Sequence, residues 1–376
     1  MKQHHASLLE VADAVHRFFS RTFARVDICG PAIDPAFFRK YPVMIAGTHR
    51  SHVDYFILGQ VMHDLGAENI RFAAGENLTT FPWIGPRFRS FGAFSVKRGS
   101  TFSRGYVRQL CEQVVGMLQD GDTIMVFPEA GRSYSGEMLD LRGGILGAGV
   151  VLQDRGGTEP VHIIPAAVSY ERLPELPYFG LIALGRSLRG TSNPLKRMLG
   201  SALYFGSDIW AFARFTNARR FGRRFGEVYI DYGAPLSLDS LVDIKGSRAG
   251  RARDELSANR VAVQTLCEKL HEQFCALYRI LPQHVLARAL QDRGALSVGE
   301  LEVVCREVVN RAREQGRNVS LVGPMSDSEL AARALEQMRY TRCVRNRNGV
   351  VSSVKPSIVR YYAAAVPPLE GACGVQ

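Results

Sequence analysis

The sequence predicts an α/β fold: a mixed, mainly parallel sheet layered between flanking helices, followed by a helical C-terminal region. Three observations carry that expectation. Short apolar, partly β-branched runs alternate with helix-period runs from residue 41 to about 240, as in βαβ units. Polar clusters stand after Gly47, Val96, Phe127 and Val168, where the strands of such a sheet end and ligands gather. Beyond about 240 the short runs give way to helical patterns rich in Arg and Glu.

Leu8, Leu9, Val11, Val15, Phe18 and Phe19 recur near helical spacing, so 6–25 reads as an amphipathic helix inside an N-terminal helical segment, 1–40. "YPVMIAG" (41–47) is a buried strand that runs into a turn. "DYFILGQVMHDLG" (54–66) is a helix closed by Gly66. Strands are expected at 70–75 and 91–99, a helix at 102–121, a strand at 123–131, a Gly-rich helix at 143–156, a strand at 161–171 and a late strand within 226–238. These elements make a domain spanning 41–240. Helices over 248–282, 283–316, 326–345 and 356–366 make a third region, 241–376.

With 376 residues, 46% hydrophobic and 22% charged, the composition is globular. A net charge of +11 points to an acidic partner: nucleic acid, anionic lipid or a phosphorylated substrate. The seven cysteines are scattered without a CxxC pair, which suggests neither a zinc ribbon nor a disulfide framework and fits a reducing compartment. "MKQHHASLLEVADAVHRFF" has no uncharged apolar core and does not read as a signal peptide. No apolar run approaches the roughly 20 residues of a spanning helix.

The densest polar cluster is "GTHRSHVDY" (47–55). His49 and Asp54 are five residues apart and would not share a face of a straight helix. They meet only if His49 lies in a strand-to-helix turn and Asp54 in the first helical turn. Gly47 permits the turn and Ser51 is a candidate cap. An aspartate that accepts from one imidazole nitrogen leaves the other free to take a proton from a hydroxyl, which makes a general base. Two other readings stand beside it: a metal site from His49, His52 and Asp54, which lacks a further ligand cluster, and a polar turn without chemistry. Arg50 carries no assigned role, and His52 reads as a bystander or supporting residue.

Three more segments decide between these readings. "GTHRSHVDY" resembles the HxxxxD block of the glycerolipid acyltransferases; "FGAFSVKRG" (91–99), "VFPEAGRSYSG" (126–136) and "IIPAAVSYE" (163–171) resemble the next three blocks, in order. "HRSHVDY", "GRSYSG" and the late "PSIVRYYAAAV" (356–366) are most similar to the bacterial glycerol-3-phosphate branch. The resemblance implies a layered acyltransferase domain in which His49 is the base and Asp54 orients it. It implies that Arg98 binds the acceptor's phosphate, as an arginine fork suits, and that Glu129, Gly131, Arg132 and Ser133 bind substrate. Lys97 should point away from the site if the strand continues through both residues. Many members carry glycine directly after the glutamate; here Ala130 stands there and Gly131 follows. Pro165 in the fourth block either shapes the acyl-donor side or marks a sheet edge.

The implied reaction moves a fatty acyl group from acyl-CoA or acyl carrier protein to glycerol-3-phosphate, the first step of phospholipid synthesis. It needs no cofactor and no metal, because a thioester is already activated. Alternatives are dihydroxyacetone phosphate or 1-acylglycerol-3-phosphate as acceptor, or a silent membrane-binding module of the same fold. Leu195, Met198, Leu199, Ala202, Leu203, Ile209 and Trp210 recur at roughly helical spacing after Asn193-Pro194. Arg214, Arg219, Arg220, Arg223 and Arg224 follow. This pattern suits an interfacial helix on an anionic membrane, at its cytoplasmic face; an ordinary core-facing helix with a solvated basic end is the other reading. No motif for reading nucleic acid accompanies the basic residues.

Overall fold

The computed structural model describes residues 19–79, 85–97, 103–157, 159–216, 225–247 and 255–368. An eight-stranded sheet forms its centre, in the order β1 (Arg25–Cys29), β7 (Glu227–Tyr232), β6 (His162–Tyr170), β2 (Val43–Gly47), β5 (Thr123–Val126), β3 (Ile70–Gly75) and β4 (Ala93–Val96), with β8 (Leu236–Ser237) also paired to β6. Strands β6, β2, β5, β3 and β4 are mutually parallel. Strand β7 runs antiparallel to β6, and β1 parallel to β7. The expected mixed, mainly parallel sheet is therefore present.

Alternation along each strand builds two core layers. Val43 and Ile45 of β2 join one core with α1 (Asp54–Asp64); Met44 and Ala46 join the other with α2 (Arg104–Gln119) and α3 (Leu146–Asp154). Both faces of β2 are buried, which is why its sequence is apolar without alternation. Pro165 lies on an interior strand rather than at an edge. It falls between the segment of β6 that pairs with β8 and the segment that pairs with β7, where one missing N–H breaks no ladder.

Next in the chain, α4 (Phe179–Arg189) and α5 (Pro194–Thr216) form a helical hairpin. At the crossing, a Cβ on Gly185 would stand 2.8 Å from the Gly200 carbonyl oxygen, and one on Gly200 2.7 Å from that of Gly185. Two glycines let the backbones touch. Leu181 (46%), Leu184 (49%), Leu195 (71%), Met198 (68%) and Leu199 (53%) of this hairpin are exposed, so the face is not core-facing.

The longer helices that follow are α6 (Arg260–Leu277), α7 (Pro282–Arg293), α8 (Val298–Glu314), α9 (Asp327–Tyr340) and α10 (Pro356–Ala363). Here the structure differs from the sequence reading in three places. The first is the segment 1–40, which contributes edge strand β1 and is not wholly helical; residues 1–18 lie outside the described residues. Second, α6 does not stand apart in a third region: Ala262, Leu266, Leu270 and Phe274 cover the sheet on the side of α2 and α3. The third is a small antiparallel sheet in the helical region, in the order β10 (Val344–Arg347), β11 (Val350–Ser353), β9 (Leu296–Ser297). Gly294, at φ 78°, ends α7, and Ser297 opens α8 by accepting from the Glu300 N–H at 3.3 Å, which splits the helix expected over 283–316.

Candidate active site

Strand β2 stops at Gly47, where a Cβ would meet Leu58 at 2.7 Å and Phe127 at 3.0 Å. Thr48 then ties the turn to β6: its N–H donates to the Ala166 carbonyl at 3.0 Å, and its hydroxyl oxygen accepts from the Val168 N–H at 3.0 Å. The chain is thereby fixed on both sides before it reaches His49.

Asp54 is the first residue of α1 and reaches back into the turn. Its Oδ2 accepts from the Arg50 N–H at 2.6 Å and the Ser51 N–H at 2.8 Å, and faces His49 Nδ1 at 3.0 Å. Its Oδ1 accepts from the Tyr170 hydroxyl at the end of β6. A carboxylate only accepts, so Nδ1 of His49 carries the proton and Nε2 offers a lone pair. Asp54 is fully buried and His49 nearly so, its ring 4.6 Å from that of Phe127 and 5.3 Å from that of Tyr55. Burial pushes the His49 pKa below the usual imidazole value; Asp54 opposes the shift, and the Arg132 charge adds to it.

Ser51 does not cap α1, whose N-cap is Val53 without a side-chain bond. Its hydroxyl is drawn instead to Glu175, to which it donates at 2.8 and 2.9 Å. The His52 N–H donates to the same carboxylate at 2.9 Å. Glu175 also stands 3.7 Å from Arg132 Nη1, while Arg132 Nη2 donates to the Tyr134 hydroxyl at 2.8 Å. The Arg132 guanidinium is thus held beside the corner by two partners.

Arg50, left without a role by the sequence, is 1% exposed and pairs with Glu129: Nη1 lies 3.0 and 2.8 Å from the two carboxylate oxygens. Glu129 further accepts from the His49 N–H at 2.9 Å and the Leu139 N–H at 3.1 Å. Both of its oxygens are occupied from within, so it holds the corner together; the expected substrate contact is not what its geometry offers. Ser133 is likewise fully buried, its N–H donating to the His49 carbonyl at 3.1 Å and its hydroxyl oxygen accepting from the Gly136 N–H at 3.1 Å. Gly136, at φ 87°, lies against α10: a Cβ there would stand 1.9 Å from the Tyr361 carbonyl oxygen. "GRSYSG" and "PSIVRYYAAAV" therefore meet.

The glycine departure has a visible consequence. Ala130 adopts φ 55°, the left-handed region that favours glycine, whereas a Cβ on Gly131 would find nothing within 4 Å. Replacing Ala130 by Gly is expected to stabilise the protein by about 1 kcal/mol, read as a higher urea midpoint; a lower midpoint would show that the turn prefers the side chain.

The structure thus brings together His49, Asp54, Glu129, Arg132 and Ser133, with Gly131 in the same turn. Arg98 lies outside the described residues, and Lys97 next to it is exposed, with its ammonium 5.1 Å from the Tyr106 ring centroid. Among the described residues no three His, Cys, Asp or Glu side chains converge as a metal site would require. Sequence reasoning missed Tyr170 and Glu175, which carry no local signal, and left Arg50 open.

Comparison with known families agrees with this architecture. The acyltransferase family model matches residues 33–169, from before β2 to the end of β6, and the model of the glycerol-3-phosphate acyltransferase C-terminal region matches residues 210–362. Together they span well over half of the chain, and both the sheet-borne corner and the helices behind it fall within them. The chain belongs to the glycerol-3-phosphate acyltransferase-type family of glycerolipid acyltransferases.

Proposed function

We propose that the protein transfers a fatty acyl group from a thioester to a hydroxyl of glycerol-3-phosphate, with His49 as general base and Asp54 as its orienting partner. The observation that carries this reading is the His49–Asp54 contact of 3.0 Å in a buried corner. Nε2 takes the proton of the acceptor hydroxyl as its oxygen attacks the thioester carbonyl. The C–O bond forms, the C–S bond breaks, and the departing sulfur receives the proton from His49. Arg132, and Arg98 by resemblance, bind the phosphate; Gly131 and Ser133 shape the turn that carries Arg132, and Glu129 braces it. The donor is acyl-CoA or acyl carrier protein, and no cofactor or metal takes part.

The acceptor is tested with labelled acyl-CoA and acyl carrier protein against glycerol-3-phosphate, dihydroxyacetone phosphate and lysophosphatidate. Turnover should be fastest with glycerol-3-phosphate. A preference for either of the others would move the chain to that reaction, and absence of transfer to all three would favour the silent module.

We further propose that the α4–α5 hairpin rests on an anionic membrane as a peripheral anchor, at the cytoplasmic face. No helix among the described residues is long and apolar enough to cross a membrane. The exposed Leu195, Met198 and Leu199 support an interfacial position instead. Arg219, Arg220, Arg223 and Arg224 lie outside the described residues, as do the side chains of Ile209, Trp210 and Arg214. Replacing Leu195, Met198 and Leu199 together by Ser should lower co-sedimentation with anionic vesicles several-fold without lowering Tm. Unchanged sedimentation would remove the hairpin from the membrane reading.

A further inference from the structure

A groove of about 920 Å³ runs between the first turns of α4 and the C-terminal region, within the size range of small-molecule sites, roughly 300–1,000 Å³. Its floor is apolar and includes Leu176, Phe179, Ile358 and Tyr361. Arg172, Arg339, Arg342 and Lys355 also line it, Arg172 paired with Glu171 at 3.1 Å, and among the described residues no Asp or Glu lines it. An apolar floor beside Arg339, Arg342 and Lys355 fits an amphipathic anion with a long chain and more than one negative charge.

Two further observations connect the groove to the chemistry. Tyr134 lines it and is the residue whose hydroxyl accepts from Arg132. Pro174 and Leu176, which flank Glu175, line it too. The groove therefore begins on the far side of the side chains that hold Arg132 beside His49. At its mouth Arg342 adopts φ 53°, a conformation that costs a non-glycine residue energy, and among the described residues its guanidinium has no hydrogen bond or ion pair. The backbone is held in a strained shape that presents an uncommitted cation.

We propose that this groove binds the acyl donor: the hydrocarbon chain lies on the aromatic floor, and the phosphates of a phosphopantetheine thioester meet Arg342 and its neighbours. That chemistry is common to acyl-CoA and acyl carrier protein. It gives the C-terminal region a task, since Arg339, Arg342, Lys355, Ile358 and Tyr361 all belong to it. The proposal rests on the acyl-transfer reading above for the identity of the ligand.

The test is direct binding, by calorimetry, of non-transferable thioether analogues of CoA to the full chain without acceptor. The wild-type protein should bind more tightly as the chain lengthens, by about fourfold per buried methylene. Ala183→Trp fills the groove from an exposed position on α4. It should weaken the palmitoyl analogue at least tenfold and leave the acetyl analogue unchanged. Arg342→Glu, also at an exposed position, should weaken both. Unaltered palmitoyl binding in Ala183→Trp, with the variant folded by circular dichroism, overturns the proposal. So does loss of lysophosphatidate binding alone, which would assign the groove to an acceptor. The acceptor-panel turnover assay reports separately: tight analogue binding without acyl transfer would strike the proposed reaction and leave the groove standing.

Discussion

Replacing His49 by alanine is expected to lower acyl transfer by at least about 10²–10⁴-fold, with the protein still folded by circular dichroism. Asp54→Asn should cost as much, up to about 10⁴-fold, because an amide directs an N–H at groups that already donate and leaves His49 without its acceptor. Four donors converge on Asp54: the His49 ring, the N–H groups of Arg50 and Ser51, and the Tyr170 hydroxyl. Retained turnover in His49→Ala would end the general-base mechanism. The pH profile gives a second readout. Burial holds the imidazole below its usual value of about 6.5, so kcat/KM should persist below that pH and fall only as pH drops through the lowered value. The stability linkage has the same sign. Buried His284 is held at about 3, so unfolded chains take up protons that the folded protein refuses. The stability contributed above about pH 6.5 is lost progressively as pH falls toward about 3.

The second large effect is on stability. Glu129→Ala would leave the Arg50 guanidinium buried opposite a cavity and strip the His49 and Leu139 N–H groups of their acceptor. Removing one member of a buried ion pair costs about 3–5 kcal/mol, which should appear as a large drop in Tm together with lost activity. Arg50→Met combined with Glu129→Leu removes both charges and should recover much of the Tm without recovering activity, because the His49 N–H stays unanchored. Equal Tm in the single and double variants would show that the pair is not coupled in this way.

These two predictions divide along what was legible beforehand. His49 and Asp54 lie within one turn of chain, and the strand-to-helix change between them is a local signal. The parallel sheet was legible for a similar reason: its three central strands, β2, β5 and β6, are buried on both faces and read as apolar runs. Arg50 and Glu129 are 79 residues apart and become partners only when β2 and β5 pair. Tyr170 and Glu175 likewise arrive with β6. Strand β1 is mostly exposed, too short to show a period, and adjoins an apolar helical pattern. The hairpin of β10 and β11 did leave a trace: Asn348-Gly349, both at positive φ, is a strong two-residue turn signal. The helical pattern on its N-terminal side masked it.

Arg279 shows how the parts of the chain depend on one another. It follows α6 and grips Asp231 on β7 with two nitrogens, at 3.0 and 2.6 Å, while its third reaches Asp27 on β1 at 2.6 Å. Four residues on, the Gln283 amide donates to the carbonyls of Tyr170 and Glu171 at 3.3 and 3.0 Å. The connection between α6 and α7, together with the first turn of α7, therefore clamps the far edge of the sheet and the strand that supplies Asp54 with its phenol. A cut at residue 240 would uncover the part of the sheet on which Leu266, Leu270 and Phe274 of α6 lie and orphan those groups. The two regions that family models describe separately should therefore melt in one calorimetric transition, and excising the first to obtain a minimal catalyst would remove the back wall of its own active site.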